Sequence, residues 1–131
     1  MITLPEYLNH QHHLIEANID RLMNGLADLE QDPELPDTLG QRALLEIQFQ
    51  HLALIEDLQK NAGDPAAVLN MCAARLMLAT MVHERARNHD HDHNGRHCDA
   101  WWDSLGRLSY LNKITHHIVN IVRYGVIKEP G

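Results

Sequence analysis

Aromatic side chains are scarce here. Phe, Tyr and Trp together make up 5% of the 131 residues, with a single Phe among them. A core must then be built from Leu, Ile, Val, Met and Ala, a palette that favours helices over sheets. Cysteine is equally sparse: Cys72 and Cys98 offer one possible pair, too few for a disulfide framework. Basic residues are missing from the first half. Residues 1–65 hold twelve acids against Arg21, Arg42 and Lys60, whereas residues 66–131 hold eight bases against six acids. An acidic half does not wrap duplex nucleic acid, which demands a basic face. It suits cations or a basic protein partner.

Targeting signals are lacking as well. No charged segment followed by an apolar one opens the chain, so no secretory leader is expected, and a reduced, cytoplasmic setting follows. The longest apolar stretch, 66–82, is interrupted by Asn70, Arg75 and Thr80 and is short for a bilayer, so no membrane partner is expected. The length fits one domain with its own core.

What the chain does have is helical periodicity. Thr3-Leu4-Pro5-Glu6 has the form of a capping box with proline in the tolerated first turn. Leu8, His12, Ile15, Ile19, Leu22, Leu26 and Leu29 then recur at spacings of three and four, the seam of a bundle helix. Thr38 to Gln41 repeats the capping form, and Leu44, Ile47, His51, Leu54 and Leu58 supply a second seam that Ala62-Gly63 should stop. Asp64-Pro65 starts a third helix, apolar on nearly every side to Val82. This third helix is expected to be either the most enclosed or the one that meets a partner, giving way to a loop over 88–96 with an Asn94-Gly95 turn. Asp99 caps a fourth helix whose stripe reads Leu105, Leu108, Leu111, Thr115, Ile118, Val119 and Val122. His116 falls at the edge of that stripe, and His117 points away together with Tyr110 and Tyr124. The expected fold is an all-α, single-domain antiparallel four-helix bundle with helices at about 4–31, 38–61, 65–88 and 99–125.

Histidine is the one residue in excess, with eleven copies. Imidazole is the commonest metal ligand and titrates near neutrality. A rise of ~1.5 Å per residue places the histidines of an up-down bundle in two groups. His83, His89, His91, His93, His97 and Cys98 gather at one end, where alternating imidazole and carboxylate would suit Zn, Ni, Co or Cu. His12, His51, Glu56, Cys72 and His116, with Glu16, fall at a common height inside the bundle. The interior set lacks the Glu-x-x-His and His-x-x-x-His spacings of bundle metal sites. It is similar to hemerythrin in architecture only, because His51 is followed by Ile55 where that pattern needs a ligand.

Arg87-Asn88, followed after four intervening residues by His93, resembles the signature of HEPN-type RNases, which are also small helical bundles. That likeness covers seven residues. It implies Arg87 and His93 facing their counterparts across two subunits and cleaving RNA without metal.

Three functions follow as expectations. The first is non-catalytic transition-metal binding as a sensor, carrier or storage protein. The second is an acidic adaptor, inhibitor or regulator that docks on a protein partner, with a homodimer possible. The third is the ribonuclease. No nucleophile triad, phosphate-binding glycine loop or paired-carboxylate motif argues for another enzyme. Elemental analysis of untagged protein separates the first two. Metal lost when His89, His91 and His93 are all changed to Ala places the site in 89–98; metal retained points to the interior set; metal absent from both proteins leaves docking.

Overall fold

The first and third helices start on side chains that satisfy otherwise unpaired backbone N–H groups. The Thr3 hydroxyl accepts from the Glu6 N–H at 3.3 Å and donates to the Glu6 carboxylate at 3.0 Å. Asp64 accepts from the Ala67 N–H at 3.2 Å. The structure, a computed structural model, describes residues 1–30, 39–92 and 99–126. These form α1 (Leu4–Glu30), α2 (Leu39–Lys60), α3 (Pro65–Asp92) and α4 (Asp99–Tyr124), with no strand among the described residues. The Thr38 cap, the Asn94-Gly95 turn and the last five residues lie outside the described set.

Two boundaries differ from expectation. Helix α3 continues to Asp92, so Arg87, Asn88, His89 and His91 are helical rather than in a loop. Nothing in Arg87-Asn88-His89-Asp90 breaks a helix: the first Gly after Gly63 lies beyond Asp92, and Pro is absent from this stretch. Helix α2 does not end on a left-handed glycine at Gly63. Instead Asn61, Ala62 and Asp64 each donate to the carbonyl three residues back, which tightens the chain into the next cap. The left-handed glycine among the described residues is Gly125, at φ +69°, closing α4. Its N–H reaches the Ile121 carbonyl at 2.9 Å, and its own carbonyl accepts from Ile2 at 2.8 Å, tying the end of α4 to the start of the chain.

The directions of the helices follow from pairs of touching residues. Asn9 meets Gln59 and His12 meets Glu56, so α1 and α2 are antiparallel. His83 meets Ser104 and Cys72 meets Thr115, so α3 and α4 are antiparallel too. The molecule is an all-α four-helix bundle of two close hairpins, α1·α2 and α3·α4. Helix α4 joins them by packing on both α2 and α1, while α2 and α3 touch weakly despite the short turn between them. Tyr7, Leu8, Ile55, Leu58, Val68, Cys72, Ile114 and Ile118 are the most deeply buried side chains. They fill the end of the bundle near the 61–64 turn.

Replacing Gly125 by Ala forces a side chain into the left-handed region. Urea unfolding should show a loss of about 1 kcal/mol, and Gly125→Asn should recover part of it.

Candidate functional site

The expected interior cluster separates into four places. His12 is half-buried at the edge of the α1–α2 hairpin, because Gln11 rather than His12 occupies the buried seam position. Its Nδ1 lies 2.6 Å from Glu16 Oε1 and its Nε2 3.3 Å from Glu56 Oε1. The two carboxylates grip opposite edges of one ring, so the three groups converge without surrounding a common point. A neutral imidazole has one N–H and donates to one of them; a protonated ring donates to both.

Cys72 is fully buried on α3 against Thr115. Burial pushes its thiol above the ordinary range, with the Thr115 hydroxyl pulling partly back, as suits a packed rather than a reactive cysteine. His116 is exposed on α4 and bonded to Asn120 at 3.1 Å.

His51 is buried with 8% of its surface exposed. Its ring stacks on Tyr110 with centroids 3.9 Å apart and planes at 14°. Burial first, and then the Arg107 guanidinium, lower its pKa from an ordinary 6.5 to about 4. Among the described residues its Nε2 is buried with no hydrogen-bond partner.

Of the second set, His83 is held most clearly. The Ser104 hydroxyl donates to the Trp101 carbonyl at 3.0 Å, so its oxygen accepts from His83 Nδ1–H at 2.9 Å. That arrangement leaves the neutral ring's lone pair on Nε2. His89 is exposed on α3. The side chain of His91, and residues His93, His97 and Cys98, lie outside the described set. No group of three or more possible ligands that could hold a metal occurs among the described residues. Arg87 and Asn88 are exposed, and their proposed partner His93 is again outside the description.

The residues that organise the site were missed by the aliphatic stripe drawn for α4. Tyr110 and His117 point inward, not away. The Tyr7 hydroxyl and His117 Nδ1 share a buried hydrogen bond of 2.9 Å, and Tyr110 donates to Gln11 Oε1 at 3.2 Å. Tyr110, Ile114, His117 and Ile121 recur at spacings of four, three and four, a regular bundle seam. Two of its four members are polar-tipped, which hides it from a search for aliphatic residues. Burial raises the Tyr110 phenol, so the ring enters all its contacts as a neutral donor.

Between α2, α3 and α4 lies a cavity of about 240 Å³ lined by His51, Leu54, Leu78, Val82, Arg107 and Leu111, among others. It opens beside the outer side of α3, which is unusually apolar. The most apolar eighteen-residue window of Pro65–His89 has a mean hydropathy of 1.5, enough by length and composition to cross a membrane, yet only 11% of it is buried. Met77, Leu78, Met81 and Val82 are 67%, 59%, 51% and 49% exposed. The expectation that this helix is the most enclosed therefore fails, and the alternative offered with it, that the helix covers a partner, is left standing.

His51 makes stability depend on pH in one direction. The unfolded ring takes up a proton near 6.5, whereas the folded ring resists until about 4. Stability is lost as pH falls through that window and the loss levels off below it, at about 3 kcal/mol in all. His51→Phe keeps a stacked ring without the titration. Urea unfolding from pH 7 to 4 should show a shallower acid loss in the variant than in the wild type.

No protein-family model matches this chain, and neither a curated protein nor a solved structure matches it.

Proposed function

We propose that the protein is a non-catalytic docking protein that receives an apolar-faced, basic helix of another protein on the outer side of α3. The observation that carries this reading is the exposed row of Met77, Leu78, Met81 and Val82. Four large apolar side chains, contiguous and each close to half exposed or more, are more than a soluble monomer ordinarily presents. Spacings of one, three and four along one helix form a ridge that fits the groove of a second helix. Methionine adapts its shape to such a partner.

Charge selects between occupants. Glu84 and Arg85, both exposed, each continue the Met77–Met81 row by one turn, so the charge beside the ridge itself is mixed and the selection comes from the chain as a whole. The chain carries a net charge of −7, which repels a second copy and attracts a basic partner.

A synthetic amphipathic Leu/Lys helix is a suitable probe. It should bind saturably, more weakly in high salt, and at least tenfold more weakly to the Met77→Gln/Met81→Gln variant. Both side chains are exposed, so the variant should fold. Three outcomes would overturn the reading: no peptide binding, a wild-type dimer in sedimentation that the double variant dissociates, or partition of the free protein onto phosphatidylcholine vesicles.

Metal binding is a second reading, with one observation in its favour. His83 donates through Nδ1 to Ser104 and so presents the Nε2 lone pair that a metal needs. In that reading His83 would act with His89, His91, His93, His97 and Cys98 on Zn, Ni, Co or Cu, and elemental analysis of the triple His→Ala protein tests it.

A further inference from the structure

The cavity between α2, α3 and α4 has one unusual property: its two most chemically capable groups each bury a nitrogen that has no hydrogen-bond partner among the described residues. Arg107 makes no ion pair or hydrogen bond among the described residues, and its Nε is buried without an acceptor. The comparison lies in the same cavity. Arg75 also lines it, but its guanidinium is already bound to Asp57 at 3.0 Å. His51 supplies the second unanswered atom, its buried Nε2, and the ring is fixed from behind by the Tyr110 stack. Tyr110 is not itself available, since its hydroxyl is donated to Gln11. Buried polar atoms, and charged ones above all, ordinarily have partners.

The other walls are apolar: Leu54, Leu78, Ala79, Val82 and Leu111. A volume of about 240 Å³ is the scale of a small organic molecule rather than a folded segment. We propose that this cavity binds a small amphipathic carboxylate, its head group held by Arg107 and His51 and its short apolar body lying between Leu54, Leu78, Val82 and Leu111. A guanidinium presents paired N–H donors that match a planar carboxylate. One cation with a neutral imidazole balances one negative charge, so a dianion such as phosphate is left partly uncompensated. An amine or a metal ion is repelled by Arg107. The cavity shares Leu78 and Val82 with the docking face, but that face is tested at Met77 and Met81, neither of which lines the cavity.

The probe is octanoate, titrated calorimetrically and by thermal unfolding into the full-length untagged protein, with octanol, octylamine and inorganic phosphate in parallel. Octanoate should bind saturably and raise the melting temperature, as a ligand selective for the folded state must. The three controls should bind at least tenfold more weakly. Arg107→Gln should weaken octanoate at least tenfold while leaving octanol unchanged. Val82→Trp, at a half-exposed wall, should block the apolar body while retaining both head-group residues. The Met77→Gln/Met81→Gln variant should bind octanoate as the wild type does, even if peptide docking fails. The assignment is overturned if octanoate does not bind at millimolar concentration. It is also overturned if octanol or phosphate stabilises equally, or if a folded Arg107→Gln or Val82→Trp protein binds octanoate unchanged.

Discussion

The position of Tyr110 is the constraint on which the arrangement of the two hairpins depends. Its ring lies flat on His51 of α2, and its hydroxyl reaches Gln11 of α1. One α4 side chain therefore engages both helices of the first hairpin. Seven residues on, His117 repeats the connection through Tyr7. These contacts are buried or half-buried, and a buried donor left unmade costs more than a made one contributes. The pairing thus fixes which face of α4 meets the first hairpin, while Ile114, Ile118 and Ile121 supply the burial around it.

Helix α4 consequently has two working faces. Tyr110 and His117 turn to α1 and α2, and Ser104 and Thr115 turn to α3. At 100° per residue those directions are roughly opposite. A helix used on both sides occupies the middle of the molecule and displaces α3 outward. Being held chiefly by α4, α3 leaves much of its apolar surface uncovered, and the gap between it and α2 becomes the cavity beside His51 and Arg107. The exposed ridge and the cavity share this origin.

Much of the fold was legible along the chain. Capping residues at Thr3 and Asp64 and seams at spacings of three and four give four helices close to those observed, and the height estimate correctly brought Glu56 to His12. The candidate site was far less legible. A seam built on aliphatic residues passes over Tyr110 and His117, because their polar tips look like surface residues until a partner for each tip is known. Arg107 looks like any surface base until it is seen to have no carboxylate partner among the described residues. His12 and His51 looked equivalent, each filling one place in a seam. Gln11 takes the buried place beside His12, and the ring of Tyr110 covers His51.

The sequence by itself determined that the chain is helical, where the helices start, and that the third carries apolar residues on nearly every side, because caps and periodicity act over a few neighbouring residues. Tertiary structure alone decided which side of α3 stays bare, which histidine becomes buried and which arginine turns a buried nitrogen into the cavity. Those outcomes depend on how α4 is shared between two hairpins, and that sharing is set by contacts such as Tyr7–His117, between residues 110 positions apart. No local pattern encodes such a distance.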